Sequence, residues 1–170
     1  MPEDLTFHIA ASWTGSGREG HGTIRSGGLE IPYAAPTSMG GQGTGTSPEE
    51  LLLAAVTACY SGTLFRVLQQ RGLPAERLDI RTTGLVTGYP RETRFQRLAV
   101  HPTVAGGDPG RLEDYRAAAE TARGRCFIGG TVQGSIDYVV GEVSVAQGEP
   151  TATFPPPAAA PSGGPAASRR

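Results

Sequence analysis

The stretch SPEELLLAAVTACYSGTLFRVLQQRG, residues 47–72, constrains the fold more than any other part of the chain. Its start is marked three times over. Ser47 can cap a helix, Pro48 suits the first helical position, and Glu50 completes a capping box. Glu49 and Glu50 also complement the positive end of the helix dipole. From Leu51 to Cys59 the run is apolar on nearly every face, so this part of the helix is expected to be buried all round. An amphipathic pattern takes over at Leu64, Phe65, Val67 and Leu68, and Gly72 followed by Pro74 ends the helix. One of only two cysteines, Cys59, sits in the middle of the run, and Cys126 is the other.

The remaining segments frame that helix. LTFHIAASW (5–13) alternates Leu5, Phe7, Ile9, Ala11 and Trp13 with polar or small residues, which predicts a half-buried strand. GREGHGTIRSGGLEIPY predicts two short strands around a Ser26-Gly27-Gly28 turn. A long glycine-rich loop leads to the helix, and such a loop in a compact domain is usually functional or a crossing segment. After the helix, ERLDIRTTGLVTGY and TRFQRLAVHPTV alternate like two antiparallel strands. DPGRLEDYRAAAETARGRC predicts a second, exposed helix ending at Gly124, and TVQGSIDYVV (131–140) a closing strand. Helices bunched between groups of strands indicate α+β. Residues 1–146 are expected to form one domain. Residues 147–170, almost entirely Pro, Ala, Gly and Ser, cannot bury enough apolar surface to offset their ordering entropy and are expected to be a disordered tail.

Composition excludes several classes. A net charge of -1 and a pI near 6.3 give no electrostatic case for nucleic acid. No uninterrupted apolar run reaches the roughly 18 residues of a membrane span, and MPEDLTFHIA lacks the apolar core of a secretory signal. A cytoplasmic, membrane-free protein is therefore expected. The scattered His8, His21 and His101 with two distant cysteines lack zinc-ligand spacing, so neither a metal nor another cofactor is expected. In a reducing compartment a pair of cysteines is more often catalytic or redox-sensing than structural.

Cys59 by itself has two readings. Free cysteine is usually a small, inert core residue. A nucleophilic one needs its pKa lowered by a cation or a helix N-terminus. Cys59 lies three turns into its own helix, too deep for that dipole, so the cation has to come from elsewhere.

Three elements together resemble the OsmC/Ohr family of thiol peroxidases across about residues 5–142. They are Pro-Glu-Glu-Leu followed by Ala-Cys, the Gly-Arg-Glu-Gly turn containing Arg18, and the late Cys126. The resemblance implies antiparallel sheets around a buried, cysteine-bearing central helix in an intertwined homodimer with active sites at the interface. It implies a peroxidatic thiolate at Cys59, a resolving thiol at Cys126, an Arg18 that stabilises the thiolate and orients the peroxide, and a Glu49 that holds Arg18. Substrate and reductant would be an organic hydroperoxide and a dithiol, a dihydrolipoyl group in the Ohr branch. Ten helical residues rise about 15 Å, so Glu49 cannot reach Cys59 along one straight helix. Either the helix breaks, or Glu49 and Arg18 come from a second subunit, and the dimer agrees with the second option. The chain departs from the family at Phe127, where proline commonly follows the second cysteine. Two other functions fit the same residues: a module that binds a small apolar ligand and senses oxidation through its cysteines, and a structural domain with two buried thiols.

Overall fold

The computed structural model describes residues 4–146, which fall into two compact units, 4–45 and 46–146. The expected tail from Gln147 lies outside the described residues. In the first unit, β1 (Ala10–Thr14), β2 (His21–Ser26) and β3 (Leu29–Ala34) form an antiparallel sheet in that order. Ser26 pairs with Leu29 across Gly27 and Gly28, whose φ values of +56° and +82° are the two positive angles a type I′ hairpin needs. The first strand is shorter and more exposed than its alternation predicts. Leu5, Phe7 and Ile9 precede it and are exposed. The reason is register: Ala10 pairs with Arg25, and β2 turns away after Ser26, so residues before Ala10 face no strand.

The second unit is built on α1 (Pro48–Gln70). The capping box forms in both directions, with Ser47 Oγ accepting from the Glu50 N–H at 3.2 Å and Glu50 Oε2 accepting from the Ser47 N–H at 2.9 Å. The polar residues in the helix are satisfied by the helix itself. Thr57, Ser61 and Thr63 each donate a hydroxyl to the carbonyl one turn back. Val56, Tyr60, Leu64, Val67 and Leu68 form the buried stripe. The stretch 51–59 is not buried all round: Val56 is buried, Leu51–Leu53 and Cys59 are half-buried, and Ala54, Ala55 and Ala58 are exposed. Its second apolar face lies open in the single chain. Taken whole, α1 is also more apolar than its longest uninterrupted run suggests. An 18-residue window of it has a mean hydropathy of 1.6 and is long and apolar enough to cross a membrane by length and composition, yet the buried stripe of α1 serves as the core of this unit.

Around α1 stand β4 (Arg77–Thr87), β5 (Arg94–Ala105), β6 (Asp137–Val140) and β7 (Ser144–Ala146), with helices α2 (Leu112–Arg125) and α3 (Phe127–Val132). The β4–β5 pair is antiparallel as expected, but β6 and β7 pair with β5 in parallel, so the sheet is mixed. The intervening α2 and α3 supply the crossover that parallel pairing requires. The second helix is half-buried rather than exposed. Tyr115, Ala118, Ala119 and Ala122 form an i, i+3, i+4, i+7 stripe, and its small alanines let α2 lie close on α1. The closing strand begins only at Asp137, because Thr131 and Val132 belong to α3. The mixed α+β architecture stands.

Candidate active site

Helix α1 carries Cys59 toward the start of α3. The two cysteine thiols are close enough for each to shift the acidity of the other. Cys126 is the N-cap of α3, and its buried sulfur accepts the Gly129 N–H at 3.3 Å. Cys59 is half-buried and lines a groove of about 600 Å³ with Thr63, Arg66, Gln70, Arg125 and Phe127.

The environment separates the two thiols. Burial pushes Cys59 up, but the N–H groups of Ile128 and Phe127 and the Cys126 thiol all favour a charged sulfur, and the result lies below the ordinary thiol value. The Thr63 hydroxyl also lies near this sulfur, but it gives its single hydrogen to the Cys59 carbonyl at 2.9 Å, so it adds little. Cys126 moves the other way. Burial raises it, and the neighbouring Cys59 raises it further, against the Gly129 N–H. Two phenols stand close by. Tyr60 donates its hydroxyl to the Ala119 carbonyl at 3.3 Å. The Tyr138 hydroxyl is buried near Cys126 and has no hydrogen-bond partner among the described residues. Burial raises both tyrosines, so they remain neutral.

The donors aimed at Cys59 were not visible in the sequence as such. The dipole of its own helix is too distant, but the first residues of α3 meet it from outside. The signal was Phe127. A proline at that position would have no N–H to give. Phe127→Pro is a clean probe, because proline is at home at the first position of a helix and Cys126, at ψ 112°, already has the extended backbone that a pre-proline residue adopts. The midpoint of Cys59 alkylation against pH is expected below the ordinary thiol value in the native chain and higher in Phe127→Pro. An unmoved midpoint would remove this N–H from the site.

Gly129 fixes the other thiol. A β-carbon there would run into the Tyr138 ring, which packs beside Cys126. Gly129→Ala is expected to lower stability by about 1–3 kcal/mol through overpacking, measured by denaturant unfolding. No loss would mean that the ring yields without strain.

Arg18 and Glu49 occupy different units. Arg18 lies in a short 3-10 turn (Gly17–Glu19) of the first unit, where its side chain crosses Gly40. A β-carbon on Gly40 would stand 3.0 Å from Arg18 Nη1, and φ at this glycine is +78°. Arg18 joins none of the ion pairs among the described residues. Glu49 lies at the start of α1, and its buried Oε2 has no hydrogen-bond partner among the described residues. Since α1 runs unbroken from Pro48 to Gln70, Glu49 and Cys59 are about 15 Å apart along its axis, and a helix break between them is ruled out. Among the described residues, no cluster of His, Cys, Asp and Glu could hold a metal ion.

A family model described as OsmC-like protein matches residues 41–140, more than half of the chain. The chain belongs to the OsmC family. It is 31% identical over 148 residues to the uncharacterized protein YmaD of Bacillus subtilis (strain 168), across 85% of this chain and 97% of YmaD. It is 36% identical over 70 residues to the organic hydroperoxide resistance protein of Xanthomonas axonopodis pv. citri, across 41% of this chain and 49% of that one. Among OsmC structures, the organic hydroperoxide resistance protein from Legionella pneumophila superposes with a TM-score of 0.63 at 24% identity, over 84% of this chain and 100% of its own. The OsmC-like protein from Mycoplasma pneumoniae gives 0.66 at 18% identity, over 86% and 100%. These structural likenesses establish the OsmC fold for this chain, and some members of the family are organic hydroperoxide resistance proteins.

Proposed function

We propose that this OsmC protein is a thiol peroxidase that reduces organic hydroperoxides to alcohols, with Cys59 as the peroxidatic and Cys126 as the resolving residue. The observation that carries the reading is the contrast between two adjoining thiols: one acidified and facing a groove, the other buried and held protonated. The Cys59 thiolate attacks the distal peroxide oxygen, the O–O bond breaks, and the alkoxide leaves as alcohol after taking a proton. Cys59 is then a sulfenic acid. The Cys126 sulfur attacks it, an S–S bond forms, and hydroxide leaves as water with the Cys126 proton. A dithiol reductant restores both thiols by disulfide exchange. This dependence on an external dithiol supports a reducing, cytoplasmic setting.

Arg18 and Glu49 enter through a homodimer. An arginine without an ion pair and a buried carboxylate oxygen without a donor, both among the described residues, are what an intersubunit Arg18–Glu49 bridge would satisfy. A guanidinium so held has a second edge for the thiolate and the peroxide. The open Ala54, Ala55 and Ala58 face of α1 supports a second copy. Sedimentation at micromolar concentration is expected to give twice the chain mass of 17.6 kDa. A clean monomer would sink the shared site. The function itself is tested by the loss of an organic hydroperoxide in the presence of purified protein and a neutral dithiol, where no consumption above the dithiol background overturns it.

A further inference from the structure

The groove beside Cys59 holds charge that its chemistry has not yet used. Cys59, Gly62, Thr63, Arg66 and Gln70 fall along one stripe of α1, and Arg125, at the end of α2, closes over it. Among the described residues, two guanidinium groups and no carboxylate line this groove. Elsewhere in the same unit Arg77, Arg97, Arg111, Arg116 and Arg123 each pair with Asp or Glu, whereas Arg71, Arg81, Arg91 and Arg94 join none of the ion pairs among the described residues. Arg66 pairs with none among the described residues, and Arg125 donates only to Gln70 Oε1, at 3.2 Å.

Space and distance are also defined. A β-carbon on Gly62 would meet open space, so the floor between Cys59 and Arg66 is empty. Seven helical residues separate Cys59 from Arg66, a rise of about 10 Å. A groove of about 600 Å³ is within the range that holds a small organic molecule. Phe127, three-quarters exposed at the rim, gives an apolar body something to lie on.

We infer that Arg66 and Arg125 form a carboxylate-binding subsite in the groove that Cys59 lines, for an anionic group on the molecule that reacts at this thiol. The inference rests on the proposal that Cys59 is the reactive residue. A planar guanidinium binds carboxylate through paired N–H groups, and two around one groove select an acid over its neutral ester or amide. The anion could arrive on the hydroperoxide or on the dithiol, and the chemistry of recognition is the same.

The test needs no peroxidase turnover. Alkylation of Cys59 by a maleimide carrying a hexanoic acid chain is compared with alkylation by its methyl ester, using the full chain in reduced form and mass spectrometry to assign the modified cysteine. Relative to the same pair of reagents on free cysteine, the native protein is expected to prefer the acid about tenfold, the worth of one charge-assisted contact. Arg66→Gln and Arg125→Gln are each expected to bring the ratio toward one, as is high salt, while Arg66→Lys retains part of it. A ratio of one in the native protein, or a preference that survives both Gln substitutions, overturns the subsite. Failure here with intact hydroperoxide turnover would leave the peroxidase reading standing, and the reverse result would leave the subsite standing. Turnover of a carboxylated hydroperoxide against its ester, and of a carboxylated dithiol against its amide, then shows which molecule brings the anion. A charge preference in either arm supports the subsite, and its absence from both counts against it.

Discussion

Cys59→Ser is expected to cut hydroperoxide turnover by roughly a thousandfold or more, the scale seen when a covalent nucleophile is removed. A serine hydroxyl is almost never ionised near neutral pH, and the N–H groups of Ile128 and Phe127 that favour a charged sulfur cannot make it so. The fold should be little affected, because the two side chains are close in size and Cys59 is only half-buried at the edge of the core. Unfolding and turnover therefore need to be measured on the same preparation. A stable Cys59→Ser protein that keeps substantial turnover would remove the peroxidase reading altogether.

The second large effect concerns Cys126. In the native chain, mild peroxide is expected to yield an intramolecular Cys59–Cys126 disulfide, seen in the intact, non-reduced mass as the loss of two hydrogens. The thiols already adjoin, and the cap that holds Cys126 in place is a single N–H contact from Gly129. In Cys126→Ser, Cys59 is expected to react once and remain a sulfenic acid, then climb to sulfinic acid as peroxide is raised. Turnover should then stop after the first cycle unless an external thiol reduces the sulfenic acid. If the native protein instead accumulates one stable oxygen on Cys59, Cys126 is a packing residue.

Local chemistry made much of the fold legible. The N-terminus of α1 could be read from Ser47, Pro48 and Glu50 because a capping box involves only neighbours in sequence, and the structure shows both of its hydrogen bonds. The β2–β3 hairpin was legible for the same reason, through Gly27 and Gly28. What failed depended on partners distant in sequence. The strand expected from Leu5 starts late because β2 turns away opposite it. The parallel course of β6 follows from a crossover through α3, a helix of six residues with two glycines that periodicity could not reveal. At the candidate site, both cysteines could be singled out by scarcity and family pattern. The source of Cys59 acidity could not, because it lies in backbone N–H groups some 70 positions away, counted from Cys59 to Phe127 and Ile128. Arg66 and Arg125 carry no signature of their own, and only the folded groove brings them to one place.

The way the two sulfurs influence each other has a consequence for timing. While Cys59 is a thiolate, its charge helps keep the proton on Cys126. In the proposed cycle, transfer of an oxygen leaves Cys59 neutral and removes that part of the hold, while burial still raises Cys126 and the Gly129 N–H still lowers it. Completion of the first reaction would thus make the second thiol easier to ionise than it was at rest. A dithiol built this way keeps its reserve sulfur the quieter of the two until a peroxide has been consumed, so part of the order in time is written into electrostatics.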